Sequence, residues 1–309
     1  MIVKKGLPRR NFHLKLGQPR TIGSNRGARS FALRRSGQIY KGSFVGVFNV
    51  IGCSESSEKV GTVDLHLIRG GVGSSLLVLH DELGFPGWLT WNENLASDYE
   101  QIIPFQPGYG KTKRQDWMTS YRDLAGFYSR WIRETKGAPI DVLAFSAGAY
   151  VAAEMVAADP SLFRRMILVA PLGIRPEEGF IFDFLAVTIR SHVVATVSRY
   201  DCPEFGKIYG GDMTPEQFEL FEEARSETAR LGWEPFMYNP SLPHLLEGIS
   251  TPTLLVRGTE DQIVPKDCVT QYARVLCNSQ IAEFQGSGHR PEIEDENLFT
   301  RSVKEFLER

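Results

Sequence analysis

Ser146 carries the most chemical promise in the chain because of its setting. Ala144-Phe145-Ser146-Ala147-Gly148 joins an apolar run at 140–145 directly to a helical pattern at 147–158. A strand that turns at once into a helix strains its backbone, needs small neighbours, and lifts the turn side chain to a helix N-terminus. A serine hydroxyl is a weak nucleophile unless a base takes its proton and an acid orients that base. Two later segments offer the partners. Arg257-Gly258-Thr259-Glu260-Asp261 follows an apolar run at 253–256, and Gly286-Ser287-Gly288-His289 follows another at 281–284. Each has a plainer reading alone: Ser146 as a helix N-cap, Asp261 as a turn residue with Glu260 as a competing acid, and His289 as a loop histidine. Together they stand in the order Ser, Asp, His, which suits covalent catalysis.

Other reactive residues are less organised. His80 ends a buried run and is expected to fix loop backbone; His66 lies on a polar strand face, and His192 and His244 fall where they could touch a ligand. No His, Asp and Glu cluster has metal-ligand spacing, so neither metal nor cofactor is expected. Cys53, Cys202, Cys268 and Cys277 are widely spaced and lack a C-x-x-C pair, which reads as free thiols. Gly108-Tyr109-Gly110-Lys111-Thr112 lacks the spacing of a phosphate loop and reads as a structural turn.

The elements that must position these residues follow from hydrophobic periodicity. A hairpin is predicted from 44–51 and 62–69, and buried strands from the runs at 76–79, 102–105, 140–145, 166–170, 253–256 and 281–284. Helical patterns occupy 120–134, 147–158 and 298–307. This alternation predicts an α/β fold with a doubly wound, mostly parallel sheet. About 75 residues separate the strands near 170 and 253, too many for a plain connection. Thr214-Pro215-Glu216-Gln217 supplies an N-cap, an N1 proline and a capping-box glutamine, so a helical insertion is expected. The boundaries are a leader at 1–42, core at 43–174 and 251–309, and a cap at 175–250.

Composition narrows the partners. Residues 1–42 hold 11 Lys and Arg and no acid, leaving 24 basic against 37 acidic side chains in the rest. An acidic body argues against nucleic-acid binding. The longest apolar runs, 75–79 and 166–171, fall far short of the roughly 18 residues that a membrane span needs. A small-molecule substrate is expected, and the sequence leaves oligomeric state open. The leader reads as disordered and dispensable for folding. Pro8-Arg9-Arg10-Asn11-Phe12 resembles a twin-arginine signal without its apolar region, so the expected location is cytoplasmic, with export or an organelle as the alternative.

The ordered segments give the chain a family likeness over residues 43–309. With His80-Asp81-Glu82-Leu83-Gly84, Gln106-Pro107-Gly108-Tyr109-Gly110 and the Ser146, Asp261 and His289 segments, it resembles a capped serine hydrolase of the α/β-hydrolase superfamily. The resemblance implies Ser146 as nucleophile, His289 as base and acid, and Asp261 as the orienting carboxylate. It also implies oxyanion donors at the backbone N–H of Ala147 and of Glu82, with Leu83 as the alternative to Glu82. Asp81 stands where relatives usually carry glycine, a position that Asp tolerates if φ is positive. Serine at the elbow, where related dehalogenases and epoxide hydrolases use aspartate, implies acyl transfer. The leading expectation is a carboxylic-ester hydrolase. The alternatives are a C–C bond hydrolase of aromatic ring-cleavage products, a lactonase or thioesterase, and a non-catalytic receptor.

Residues 175–250 hold 11 aromatics. Phe145 beside the nucleophile, and Phe180, Phe182, Phe184, Trp233 and Phe236 in the insertion, are the candidates to enclose an apolar substrate, the rival role being to anchor the insertion. An unperturbed base predicts kcat/KM rising around pH 6.5.

Overall fold

The computed structural model describes residues 53–209 and 214–309. The leader expected at 1–42 and the strand expected at 44–51 lie outside the described residues. Among the described residues, eight strands form one sheet. β1 (Cys53–Val60) and β2 (Val63–Gly70) make an antiparallel hairpin. β2 runs antiparallel to β4 (Tyr99–Pro104). β3 (Ser74–Leu79), β5 (Ile140–Phe145), β6 (Phe163–Val169), β7 (Thr253–Gly258) and β8 (Ser279–Phe284) continue the sheet in parallel. The spatial order is β1-β2-β4-β3-β5-β6-β7-β8.

The hairpin corrects the sequence reading. Its first strand is Cys-Ser-Glu-Ser-Ser-Glu-Lys-Val, largely exposed along a sheet edge, where ladder hydrogen bonds rather than apolar side chains select the strand. The central strands show the opposite logic. Every residue of β5 is buried, as expected for a parallel strand covered on both faces.

Helices supply that cover. α1 (Thr90–Leu95) places Trp91 and Leu95 on one face of the sheet, while α2 (Tyr121–Thr135) and α3 (Ala147–Ala158) pack Leu124, Trp131 and Val151 on the other. Among the described residues, four helices lie between β6 and β7: α4 (Ile189–Ala195), α5 (Pro203–Tyr209), α6 (Pro215–Gly232) and α7 (Leu242–Leu246). α6 begins with the expected capping box, in which Thr214 Oγ1 accepts from Gln217 N–H and the Gln217 side chain accepts from Thr214 N–H. The chain finishes with α8 (Lys266–Val275), α9 (Pro291–Glu294) and α10 (Glu296–Leu307). Phe299 and Val303 of α10 join Trp91 on the first face, so the parallel sheet is doubly wound.

Candidate functional site

The residues singled out by chemistry converge at the carboxyl ends of β3, β5, β7 and β8, where open α/β sheets bind ligands. Ser146 forms the turn between β5 and α3 with φ 46° and ψ −107°, a strained region for a non-glycine residue. The surroundings hold it there. Its N–H donates to Val169 O at 2.8 Å, and its carbonyl accepts from Tyr150 N–H at 3.1 Å. Gly148 explains the small flank: a Cβ there would lie 2.5 Å from the carbonyl oxygens of Leu79 and His80, so only glycine lets α3 begin against the end of β3. Ala144, where the family pattern has glycine, is buried within the strand.

Asp261 and His289 meet as the sequence order suggests. His289 Nδ1 donates to Asp261 Oδ2 at 2.9 Å, and Asp261 Oδ1 accepts the N–H groups of Ile263 at 2.8 Å and Val264 at 3.0 Å. The carboxylate is thus fixed before it orients the ring. Glu260, the rival acid, is exposed. Burial by itself would lower the affinity of His289 for its proton. The charge and hydrogen bond of Asp261, then the charges of Glu82 and Glu292, outweigh burial and raise its pKa to about 9. Ser146 Oγ and His289 Nε2 are both buried and each lacks a hydrogen-bond partner, so the two do not bond to each other.

The loop after β3 supplies the next layer. His80 Nδ1 donates to Asp81 O at 2.8 Å, and His80 Nε2 accepts Gln106 N–H at 3.2 Å. Burial pulls its pKa down to about 3, which keeps the ring neutral and in that tautomer. His80 therefore fixes loop backbone, as expected. The φ of Asp81 is not positive, which removes the conformational reason for that residue. Its carboxylate instead accepts Leu83 N–H at 2.9 Å and pairs with the buried Arg290 guanidinium, tying this loop to the His289 loop. Asp81 takes the Leu83 N–H, which leaves the Glu82 N–H, shared only with its own carboxylate, as the second candidate oxyanion donor. Ala147, the first residue of α3, has an N–H with no intrahelical acceptor and is the other.

Glu82 contributes more than backbone. Its side chain is 1% exposed and lies between two imidazoles, with Oε1 3.3 Å from His192 Nε2 and 4.0 Å from His289 Nε2. Burial favours its neutral acid, but the His192 hydrogen bond, the charges of His289 and His192 and its own backbone N–H win, and hold the acid well below the usual carboxylate range. Glu82 O accepts from Thr228 Oγ1 at 3.0 Å, and Thr228 also bonds Tyr109 OH at 2.8 Å, so α6 is fastened to the loop. Of the two histidines expected where they could touch a ligand, His192 reaches this loop; Thr228 and the Glu82 carboxylate were invisible as site residues in sequence, where nothing specifies which side of α6 faces the strand ends.

The aromatic candidates divide. Phe184 is buried and stacks on His192 with centroids 4.7 Å apart, and Phe236 packs against Phe184 at 5.6 Å. Phe145 packs on Trp91 and lines a small cavity with His80, Asp81, Arg290 and Glu292. Phe182 is half-buried against the main core. Phe180 and Trp233 are 78% and 61% exposed, and the structure does not bring them to the site. Phe180 follows the surface turn at Gly179, and Trp233 caps the C-terminus of α6, so neither faces inward. His244 is also exposed. A second cavity of about 200 Å³ lies between the Glu82 loop and α6, lined largely by Leu83, Phe85, Phe105, Tyr109, Leu220 and Phe221. Among the described residues no group of His, Cys, Asp and Glu could hold a metal, and no helix is long and apolar enough to cross a membrane.

This sheet, elbow and strand-end cluster define a hydrolase of the α/β fold. The chain belongs to the α/β hydrolase family, whose sequence profile matches residues 76–300. It is 23% identical over 270 residues to 2-hydroxy-6-oxononadienedioate/2-hydroxy-6-oxononatrienedioate hydrolase 2 of Pseudomonas putida, covering 80% of this chain and 93% of that protein. It is also 23% identical over 263 residues to pyrrolizixenacetamide deacetylase of Xenorhabdus hominickii, covering 81% and 96%. Among solved structures, 2-hydroxy-6-oxo-6-phenylhexa-2,4-dienoate hydrolase from Rhodococcus superposes with a TM-score of 0.67 at 19% identity, over 83% of this chain and 99% of that one.

Proposed function

We propose that this hydrolase acts through Ser146 on small, largely apolar acyl substrates, carboxylic esters first among them. The observation that carries the reading is the strained Ser146, with an unpartnered hydroxyl, in the same buried cluster as a histidine that Asp261 already orients. Ser146 Oγ attacks the acyl carbon while His289 Nε2 takes its proton, and Asp261 steadies the imidazolium. The carbonyl oxygen becomes an oxyanion facing the N–H groups of Ala147 and Glu82. Collapse expels the alcohol, which leaves with the proton from His289, and water then releases the acid by the same steps. The insertion serves as a cap, fastened to the candidate oxyanion loop by Thr228 of α6, which donates to Glu82 O.

Hydrolysis of a C–C bond in a ring-cleavage diketone is the second reading. It is favoured by the relatives named for such dienoates and uses the same nucleophile, base and oxyanion donors. A panel of p-nitrophenyl esters, lactones and ring-cleavage diketones separates the two. The expected result is turnover of short esters, labelling of the wild type by a fluorophosphonate probe, and loss of both on Ser146→Ala. Ser146→Ala and His289→Ala should each lower kcat by at least about a thousandfold with the fold retained. Activity near wild type in either variant would remove Ser146 and His289 from these roles.

A further inference from the structure

Glu82 is a buried carboxylate that acyl transfer does not require. An oxyanion loop needs only a backbone N–H from this position, and any side chain would serve that purpose. Here the side chain turns inward, 1% exposed, with Oε1 held by His192 Nε2 at 3.3 Å and Oε2 buried without a partner. The two imidazoles beside it also carry a buried nitrogen without a hydrogen bond, His289 Nε2 and His192 Nδ1, and the Ser146 hydroxyl lacks one too. An unsatisfied buried carboxylate oxygen costs free energy in the empty protein, which a bound ligand can recover by donating to it. His192 is fixed in turn by stacking on Phe184, so Glu82 cannot easily turn away from the site.

We infer that Glu82, positioned by His192, sets the charge specificity of this hydrolase: it favours acyl substrates with a cationic or hydrogen-bond-donating group close to the reacting carbonyl and rejects those with a carboxylate there. This deepens the hydrolase reading and rests on it. The physical basis is direct. A second carboxylate beside Glu82 in a site closed to water meets like-charge repulsion with little screening, whereas a cation or donor satisfies Oε2. Arg290 is already paired with Asp81, and the His289 imidazolium lies between Asp261 and Glu82, so neither buried cation offers a ready counter-charge to an incoming carboxylate. The relative named for a dienedioate therefore shares this fold while the present site is arranged against a dianion.

The test uses three acyl groups of similar length and differing charge: 4-(trimethylammonio)butanoyl, its neutral isostere 5,5-dimethylhexanoyl, and hemiadipoyl. Binding of their methyl amides to the full-length Ser146→Ala protein is measured by calorimetry, and kcat/KM of their p-nitrophenyl esters is measured with the full-length serine enzyme. The cationic amide should bind at least about tenfold more tightly than the anionic one, and Glu82→Gln in the same background should bring the two within about threefold, with the neutral amide as reference. The ester rates should follow that order. His192→Asn should narrow the same ratio in part, because it releases the carboxylate without neutralising it. Equal affinities for cation and anion, no binding of any amide, or a ratio unchanged by Glu82→Gln would overturn the inference. A charge preference in binding combined with hydrolysis of none of the esters would leave Glu82 as the selector and overturn the ester reading alone.

Discussion

At the scale of single residues, the environment of His289 changes what a pH profile should show. Ser, Asp and His in order suggested an ordinary base, with activity rising around pH 6.5. Asp261 on one side of the ring, with Glu82 and Glu292 also near, favours the imidazolium over the burial that opposes it, and the proton is held until about pH 9. Activity needs the neutral ring, so kcat/KM should rise through an inflection well above 7, and Glu82→Gln, by removing one anion, should move that inflection to lower pH. A rate profile measured between pH 5 and 10 checks both; an inflection that stays near 6.5, or fails to move with the variant, would separate Glu82 from the base. Legibility at this scale was uneven. Ser146, Asp261 and His289 could be read because each follows a strand at a turn of small residues. The inward course of the Glu82 side chain could not, since its burial is set by His192 from an insertion more than one hundred residues away.

Among the elements, the join of β5 to α3 depends on one close approach. At Gly148 the α3 backbone touches two carbonyl groups at the end of β3, and neither belongs to a flexible side chain that could yield. Gly148→Ala should therefore shift the helix start, move Ser146 and the Ala147 N–H together, and destabilise the fold by about 1–3 kcal/mol, the usual cost of overpacking. Urea unfolding measures the stability, and kcat should fall by more than the loss of folded protein explains. A variant as stable and active as the wild type would mean that α3 can lift away freely. The central strands were legible because burial on both faces leaves unbroken apolar runs. β1 was not, because a Ser- and Glu-rich edge strand declares itself only through its pairing with β2. α8 also escaped notice: its apolar stripe is narrow, although Cys268, Val269 and Tyr272 are buried.

For the molecule as a whole, the proposed cap should set the size of what reaches the nucleophile. Ser146 is 1% exposed and His289 3%, with His192 and Thr228 of the insertion fully buried around the same loop. Aromatic density in 175–250 suggested rings that enclose a substrate or anchor the insertion, yet it could not distinguish Phe184, which packs against the site, from Phe180 and Trp233, which face solvent. With α6 fastened to the Glu82 loop through Thr228, small monomeric esters should be preferred to long-chain lipids. The comparison is kcat/KM for p-nitrophenyl butyrate against emulsified triolein, and a higher value for triolein would show that the insertion is no barrier.

The enclosure of Ser146 also has a signature in time. If the insertion is the proposed cap, even a small reagent should wait for it to part from the strand ends, and an irreversible inhibitor should then react no faster than the protein opens. The observed labelling rate of a fluorophosphonate should therefore bend with rising reagent concentration toward a plateau set by the protein, and reagents of unequal intrinsic reactivity should share that plateau. Thr228→Val, which removes the hydroxyl that fastens α6 to Glu82 O, should raise it. A labelling rate that stays linear in concentration, with a slope ordered by reagent reactivity alone, would mean that the hydroxyl is reached without any such wait.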